Sequence, residues 1–151
     1  MSKEENRISA QLIDIFENIM KMEQETINRE SQQRLSMTEI HTIAAAGREE
    51  LSSMSEIAGK LHVTVGTLTV GMSNLAKKGF VERYKSEKDR RIVKVGLTKK
   101  GKEIYRIHEA FHRKLGLTLI KGMTEAEKKI VKDAMTNLEE FICRGCPNLD
   151  I

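Results

Sequence analysis

Residues 64–101 constrain this chain more than any other stretch. A helix-patterned run, TVGTLTVGMSNLAKKG, leads without a linker into FVERYKSEKDRRIVKVGLTKKG, where two β-rich runs flank a charged turn. In the first run Leu68, Met72 and Leu75 recur at three- and four-residue steps and form an inward stripe. Gly66, Val70, Ser73 and Lys77 then fall on the opposite side. Thr64 is suited to cap this helix and Gly79 to stop it. Phe80–Lys85 and Ile92–Leu97 are rich in β-branched and aromatic residues, which predicts a two-stranded ribbon. Upstream, Ser53 and Glu56 have capping-box spacing and open a short helix to Leu61, joined to the next helix by little more than His62 and Val63. Two short helices with so tight a joint form a helix-turn-helix, and the ribbon behind them makes it a winged one.

The flanks are helical. Ile8, Leu12, Ile15, Phe16 and Ile19 mark one face of a long first helix reaching about Glu30. Ser36 with Glu39 opens a second helix that Gly47 ends, and Thr98 restarts helix after the ribbon. That fifth helix carries Ile104, Ile107, Phe111 and Leu115 and breaks at Gly122. Thr124 with Glu127 opens a sixth, carrying Ile130, Ala134, Leu138 and Phe141, and Pro147 closes the structured part. The expected fold is mainly α, about six helices plus a two-stranded β-wing. Residues 36–97 are expected to form the winged helix-turn-helix lobe, 1–35 with 98–146 a helical dimerisation region, and 147–151 a tail. The long helices carry more apolar surface than the small lobe can cover, so a two-fold homodimer is expected.

Charge is unevenly spread. Residues 77–102 hold eleven Lys/Arg against three Asp/Glu, a net of +8, which leaves −4 for the rest of a chain whose total is +4. A cationic patch on an otherwise acidic body draws a polyanion to one face. The opening MSKEENRISAQ lacks the apolar run of a signal peptide, no stretch approaches a membrane span, and two cysteines make no disulfide framework. A cytoplasmic protein without membrane contact is expected. Phosphate-loop, nucleophile-elbow and H-E-x-x-H motifs are absent, which argues against an enzyme.

These features suit a duplex with one helix in the major groove and the ribbon tip in the neighbouring minor groove. Thr64, Val65, Thr67 and Thr69 sit where free backbone N–H groups and the positive helix end favour phosphate or base acceptors. Gly66, Val70, Ser73 and Asn74 complete the reading face, with Val65 and Val70 able to pack on thymine methyl groups. Arg90 and Arg91 at the turn are expected to enter the minor groove, with Asp89 holding the Arg91 guanidinium, while Lys77, Lys78, Arg83, Lys88 and Lys94 are candidates for phosphate contact.

Over nearly its whole length the chain resembles the MarR family of transcriptional regulators. The resemblance is carried by LAKKGFVER, by Asp89-Arg90-Arg91 followed by IVKVGLTKKG, and by the terminal helices. It implies a dimeric winged helix-turn-helix repressor on a pseudo-palindromic operator in double-stranded DNA, with Arg91 as the minor-groove arginine. LSMTEIHTI, KLHVTVGTLTVGMSNLAKKGFVER and LTKKGKEIYRIHEAFHRKL look in particular like FabT-type repressors of fatty-acid biosynthesis genes. That resemblance implies long-chain acyl groups on acyl carrier protein as co-repressor and no required cofactor. Phe16, Met20, Ile40, Ile43, Ile104, Ile107 and Phe111 could line an acyl tunnel or could equally be plain core.

A rival effector is zinc. His108 and His112 stand one helical turn apart, His41 lies on the second helix, and Glu23 or Glu25 could supply a carboxylate. Cys143 and Cys146 have the C-x-x-C spacing of redox and zinc sites, but two thiolates fall short of a four-ligand set and read as a helix end.

Overall fold

The computed structural model describes residues 1–48 and 51–143. Its elements are α1 (Lys3–Ser31), α2 (Met37–Ala46), β1 (Ser52–Ser53), α3 (Met54–Leu61), α4 (Val65–Lys77), β2 (Val81–Lys85), β3 (Val93–Leu97), α5 (Lys99–Leu119) and α6 (Glu125–Cys143). The chain divides into two compact units, residues 1–111 and 112–151. Among the described residues no helix is long and apolar enough to cross a membrane.

Caps explain where the helices begin. Ser36 with Glu39 and Ser53 with Glu56 form reciprocal capping boxes, each serine hydroxyl accepting a backbone N–H while the glutamate accepts the serine's own. Thr124 and Glu127 exchange the same bonds ahead of α6. A further box, Ser2 with Glu5, starts α1 at Lys3, ahead of the apolar periodicity that begins at Ile8. Glycines at positive φ follow α2 and α4, Gly47 and Gly79 both at 79°.

The first unit holds the core. Ile27 from α1 joins Ile40 and Ile43 from α2, Ile57 from α3, Leu68, Met72 and Leu75 from α4, Phe80 just ahead of β2, Val95 from β3, and Ile104 and Ile107 from α5. The predicted α4 stripe is thus the buried one. The sheet is antiparallel in the order β1-β3-β2, with Val81 opposite Leu97 at its base and Lys85 opposite Val93 near its tip. The sequence predicts two strands; the third, β1, is two residues long and pairs Ser52 with Val95 and Ser53 with Lys94. It has no propensity signal because Ser53 is also the α3 cap, and only β3 alongside makes it a strand.

Where β3 turns into α5 the packing is tight. Thr98 donates its N–H to the Phe80 carbonyl and its hydroxyl to the Gly79 carbonyl at 2.6 Å. A Cβ on Gly101 would stand 2.1 Å from that Phe80 oxygen, so the first turn of α5 can lie against the start of β2 only because residue 101 is glycine.

In the second unit, α6 buries none of its residues, and Ile130, Phe141 and Ile142 remain 68%, 49% and 70% exposed. In the first, the N-terminal half of α1 leaves Ile8, Leu12, Ile13, Ile15 and Phe16 exposed.

Candidate nucleic-acid interface

The outward side of α4 carries the residues that the sequence nominated. Thr64 accepts the Thr67 N–H at 3.2 Å and donates its hydroxyl to Thr67 Oγ1 at 3.0 Å, so the helix start is pinned while the remaining first-turn N–H groups point outward. Val65 and Val70 are 42% and 66% exposed, which is unusual for valine and suits contact with thymine methyl groups. Gly66, Thr69, Asn74 and Lys77 are exposed, and Ser73 is half-buried. Thr69 donates its hydroxyl to the Val65 carbonyl and Ser73 its own to the Thr69 carbonyl, each at 2.8 Å. With its proton spent inside the helix, the exposed Thr69 hydroxyl oxygen is left as an acceptor, matched to the amino groups of cytosine and adenine.

Three of the nominated phosphate contacts already have protein partners. Lys78 is paired with Glu39 on α2 at 2.5 Å. Burial pushes the Glu39 carboxyl up, but hydrogen bonds and charge from Lys78, with those from Ser36, outweigh it and hold the group below its ordinary 4.5. Lys94 lies 3.8 Å from Glu56. Arg83 donates to Ser73 Oγ at 2.8 Å and to the Thr69 carbonyl at 3.4 Å, which joins β2 to α4. Partners that distant in sequence are invisible before the lobe closes.

The wing tip is held by its own backbone. Ser86 donates its N–H to the Ile92 carbonyl and Ile92 its N–H to the Asp89 carbonyl, both at 3.0 Å. The Asp89 carboxylate accepts the backbone N–H of Arg91 at 2.9 Å and not its guanidinium, contrary to the sequence expectation. An aspartate in a tight turn reaches the N–H two residues on without loss of side-chain freedom elsewhere, which is the cheaper bond. The side chains of Lys88, Arg90 and Arg91 are exposed.

The MarR family description matches residues 35–93. The HTH-type transcriptional regulator PchR of Bacillus subtilis is 27% identical over 106 residues, 70% of this chain and 63% of PchR, so the chain spans under two thirds of that relative. YfiV of the same organism, an uncharacterized HTH-type transcriptional regulator, is 31% identical over 109 residues, 72% of this chain and 68% of YfiV. Streptococcus pneumoniae FabT, solved in complex with DNA, is similar at a TM-score of 0.82 and 37% identity, covering 91% of this chain and 96% of that one. The chain belongs to the MarR family. It is a DNA-binding transcriptional regulator of the MarR type and not an enzyme.

The effector candidates of this MarR-family chain separate into two groups. Ile40, Ile43, Ile104 and Ile107 are packed into the core, whereas Phe16 is 65% exposed and Met20 and Phe111 are half-buried. Between α2 and α4 lies a cavity of about 280 Å³, bordered by Thr38, His41 and Thr42 on one side and Leu68 and Gly71 on the other.

His41, which borders that cavity, also lies near a buried carboxylate. Glu23 on α1 is 1% exposed; its Oε1 lies 3.1 Å from His108 Nε2 on α5 and its Oε2 3.7 Å from His41 Nε2 on α2. The imidazole rings meet edge to face with centroids 6.1 Å apart. Sequence left Glu23 and Glu25 as alternatives, and the fold selects Glu23, since Glu25 is exposed. A buried carboxylate needs such partners, because stripping its hydration costs several kcal/mol. His112 is exposed and belongs to the second unit. Cys143 is a free, exposed thiol, and Cys146 lies outside the described residues.

Proposed function

We propose that this protein is a dimeric repressor of fatty-acid biosynthesis genes, with long-chain acyl groups on acyl carrier protein as co-repressor. The observation that carries the reading is the similarity to FabT, at 37% identity over 96% of that chain. In this reading α4 enters the major groove, and Arg90 and Arg91 enter the adjacent minor groove, where negative potential is strongest. A two-fold dimer would present two such lobes to half-sites about one helical turn apart on a pseudo-palindrome. The uncovered apolar residues of α1 and those of α6 each support such a pairing, since an exposed apolar helix face is stabilised by a second copy. An acyl effector acts only through unequal affinity for the two lobe arrangements.

The test is fluorescence anisotropy on promoter DNA taken from upstream of fatty-acid synthesis genes, with and without long-chain acyl carrier protein. Tighter binding with the acylated carrier is expected, and indifference to it refutes this regulon. Arg91→Ala should weaken operator binding about tenfold or more while leaving the dimer intact.

The Glu23, His41 and His108 group supports a second reading, regulation by zinc. Their ligand atoms lie within 4.8 Å of one another. Small side-chain movements would bring one oxygen and two nitrogens to the roughly 2 Å bonds zinc requires. Zinc titration of the full chain, wild type against Glu23→Gln, tests it: binding that the substitution abolishes, together with altered DNA affinity, supports the reading, and absence of binding refutes it.

A further inference from the structure

We infer that Arg83 is a positioning residue, which sets the reading face of α4 against the wing and makes no phosphate contact of its own. The inference rests on the DNA-binding reading and goes beyond it. Arg83 occupies the middle of β2, opposite Val95, and Val95 is fully buried, so the guanidinium springs from the best-anchored part of the hairpin. It crosses to α4 and bonds two residues one turn apart, Ser73 through its hydroxyl at 2.8 Å and Thr69 through its carbonyl at 3.4 Å. Ser73 also donates to that same carbonyl, so three groups close a small network on the side of the helix that carries Val70. The planar fork of arginine is suited to hold two acceptors at once, which a lysine cannot do.

Among the described residues this is the side-chain hydrogen-bonded tie between the wing and the middle of α4; at its far end the helix is held through Lys78 to Glu39 on α2. Rotation of α4 about its axis would carry Val70, Ser73 and the outward hydroxyls away from base edges. Base contacts tolerate such displacement poorly, whereas phosphate contacts on flexible lysines tolerate it well. Arg83 therefore governs sequence discrimination more than affinity.

The experiment uses the full chain and two duplexes, one selected by the wild type from a random pool and one shuffled from it. Dissociation constants are measured over a range of KCl for the wild type, Arg83→Ala, Arg83→Lys, Ser73→Ala and the Arg83→Ala/Ser73→Ala pair. In Arg83→Ala the preference for the selected duplex should fall roughly tenfold, with affinity for the shuffled duplex and the salt slope unchanged. Ser73→Ala should lose part of that preference, Arg83→Lys should restore part of it, and the double substitution should be no worse than Arg83→Ala alone. Equal loss on both duplexes with a salt slope lower by about one would make Arg83 a phosphate contact and overturn the inference. So would an unchanged preference, or additive losses in the double variant. A wild type that selects no sequence at all would instead refute DNA reading by α4. Ser73→Ala and Arg83→Lys alter little bulk, so the result does not depend on Arg83→Ala folding.

Discussion

Helices α4 and α6 are both amphipathic, yet they end up in opposite circumstances. In 13 residues α4 buries Leu68, Met72 and Leu75, while α6, with 19, buries nothing and leaves Ile130 and Phe141 largely open. One stripe is satisfied within its own lobe, and the other is an apolar surface that the described residues leave exposed. Burial of apolar area contributes about 25 cal/mol per Å², so an open stripe is a standing drive toward association. The contrast teaches that one periodic pattern can specify a core or an interface. Which it becomes depends on what the rest of the chain brings to it.

That comparison can be broken by experiment. The largest effect is expected from Ile130→Asp combined with Phe141→Asp, which should weaken self-association at least a hundredfold in analytical ultracentrifugation while helical circular dichroism persists. An intact dimer would mean that the α6 stripe is no interface. Met72→Ala should act on the other side of the contrast, lowering stability by about 3 kcal/mol through cavity formation, and this loss should not change with protein concentration. Denaturant melts at two concentrations distinguish the cases.

Gly101→Ala comes next. Its methyl would strike the Phe80 carbonyl, and a cost of about 2 kcal/mol from overpacking is expected in the same melts. Wild-type stability would show that the α5 junction is looser than the packing described above.

The smallest effect concerns pH. The Glu39, Glu56 and Glu127 carboxyls are all held below their ordinary 4.5. Burial works against the shift at Glu39, where Lys78 and Ser36 prevail; the backbone bonds of Ser53 and Thr124 lead at the other two. Groups lowered in the folded state contribute fully above 4.5 and lose that contribution as pH falls through their lower folded values. Carboxyl titration followed by NMR should give midpoints below 4.5, with amide exchange at the starts of α2, α3 and α6 speeding up under acid. A midpoint at or above 4.5 would contradict the capping-box account.

Much of the fold and of the α4 face was legible because it is local. Ser36 and Glu39, Ser53 and Glu56, and Thr124 and Glu127 stand three residues apart, a separation that helix geometry converts directly into contact. The Ser2 and Glu5 box carries the same signature but lies ahead of the apolar periodicity that marks α1 in the sequence. Charge pairing predicts that Asp89 holds the Arg91 guanidinium, but its bond to the Arg91 backbone is a property of turn geometry that charge pairing does not anticipate.

By itself the amino-acid order determined the helix starts and stops, the inward stripe of α4, the cationic hairpin and hence the MarR architecture. These follow from steps of two, three and four residues, over which backbone geometry leaves little freedom. Only the tertiary structure decided that Glu23 and not Glu25 meets His41 and His108, that Arg83 reaches Ser73, that Ser52 becomes a strand and that residue 101 must lack a side chain. Those outcomes join segments far apart in the chain, and their distances exist only once the hydrophobic core has drawn the segments together.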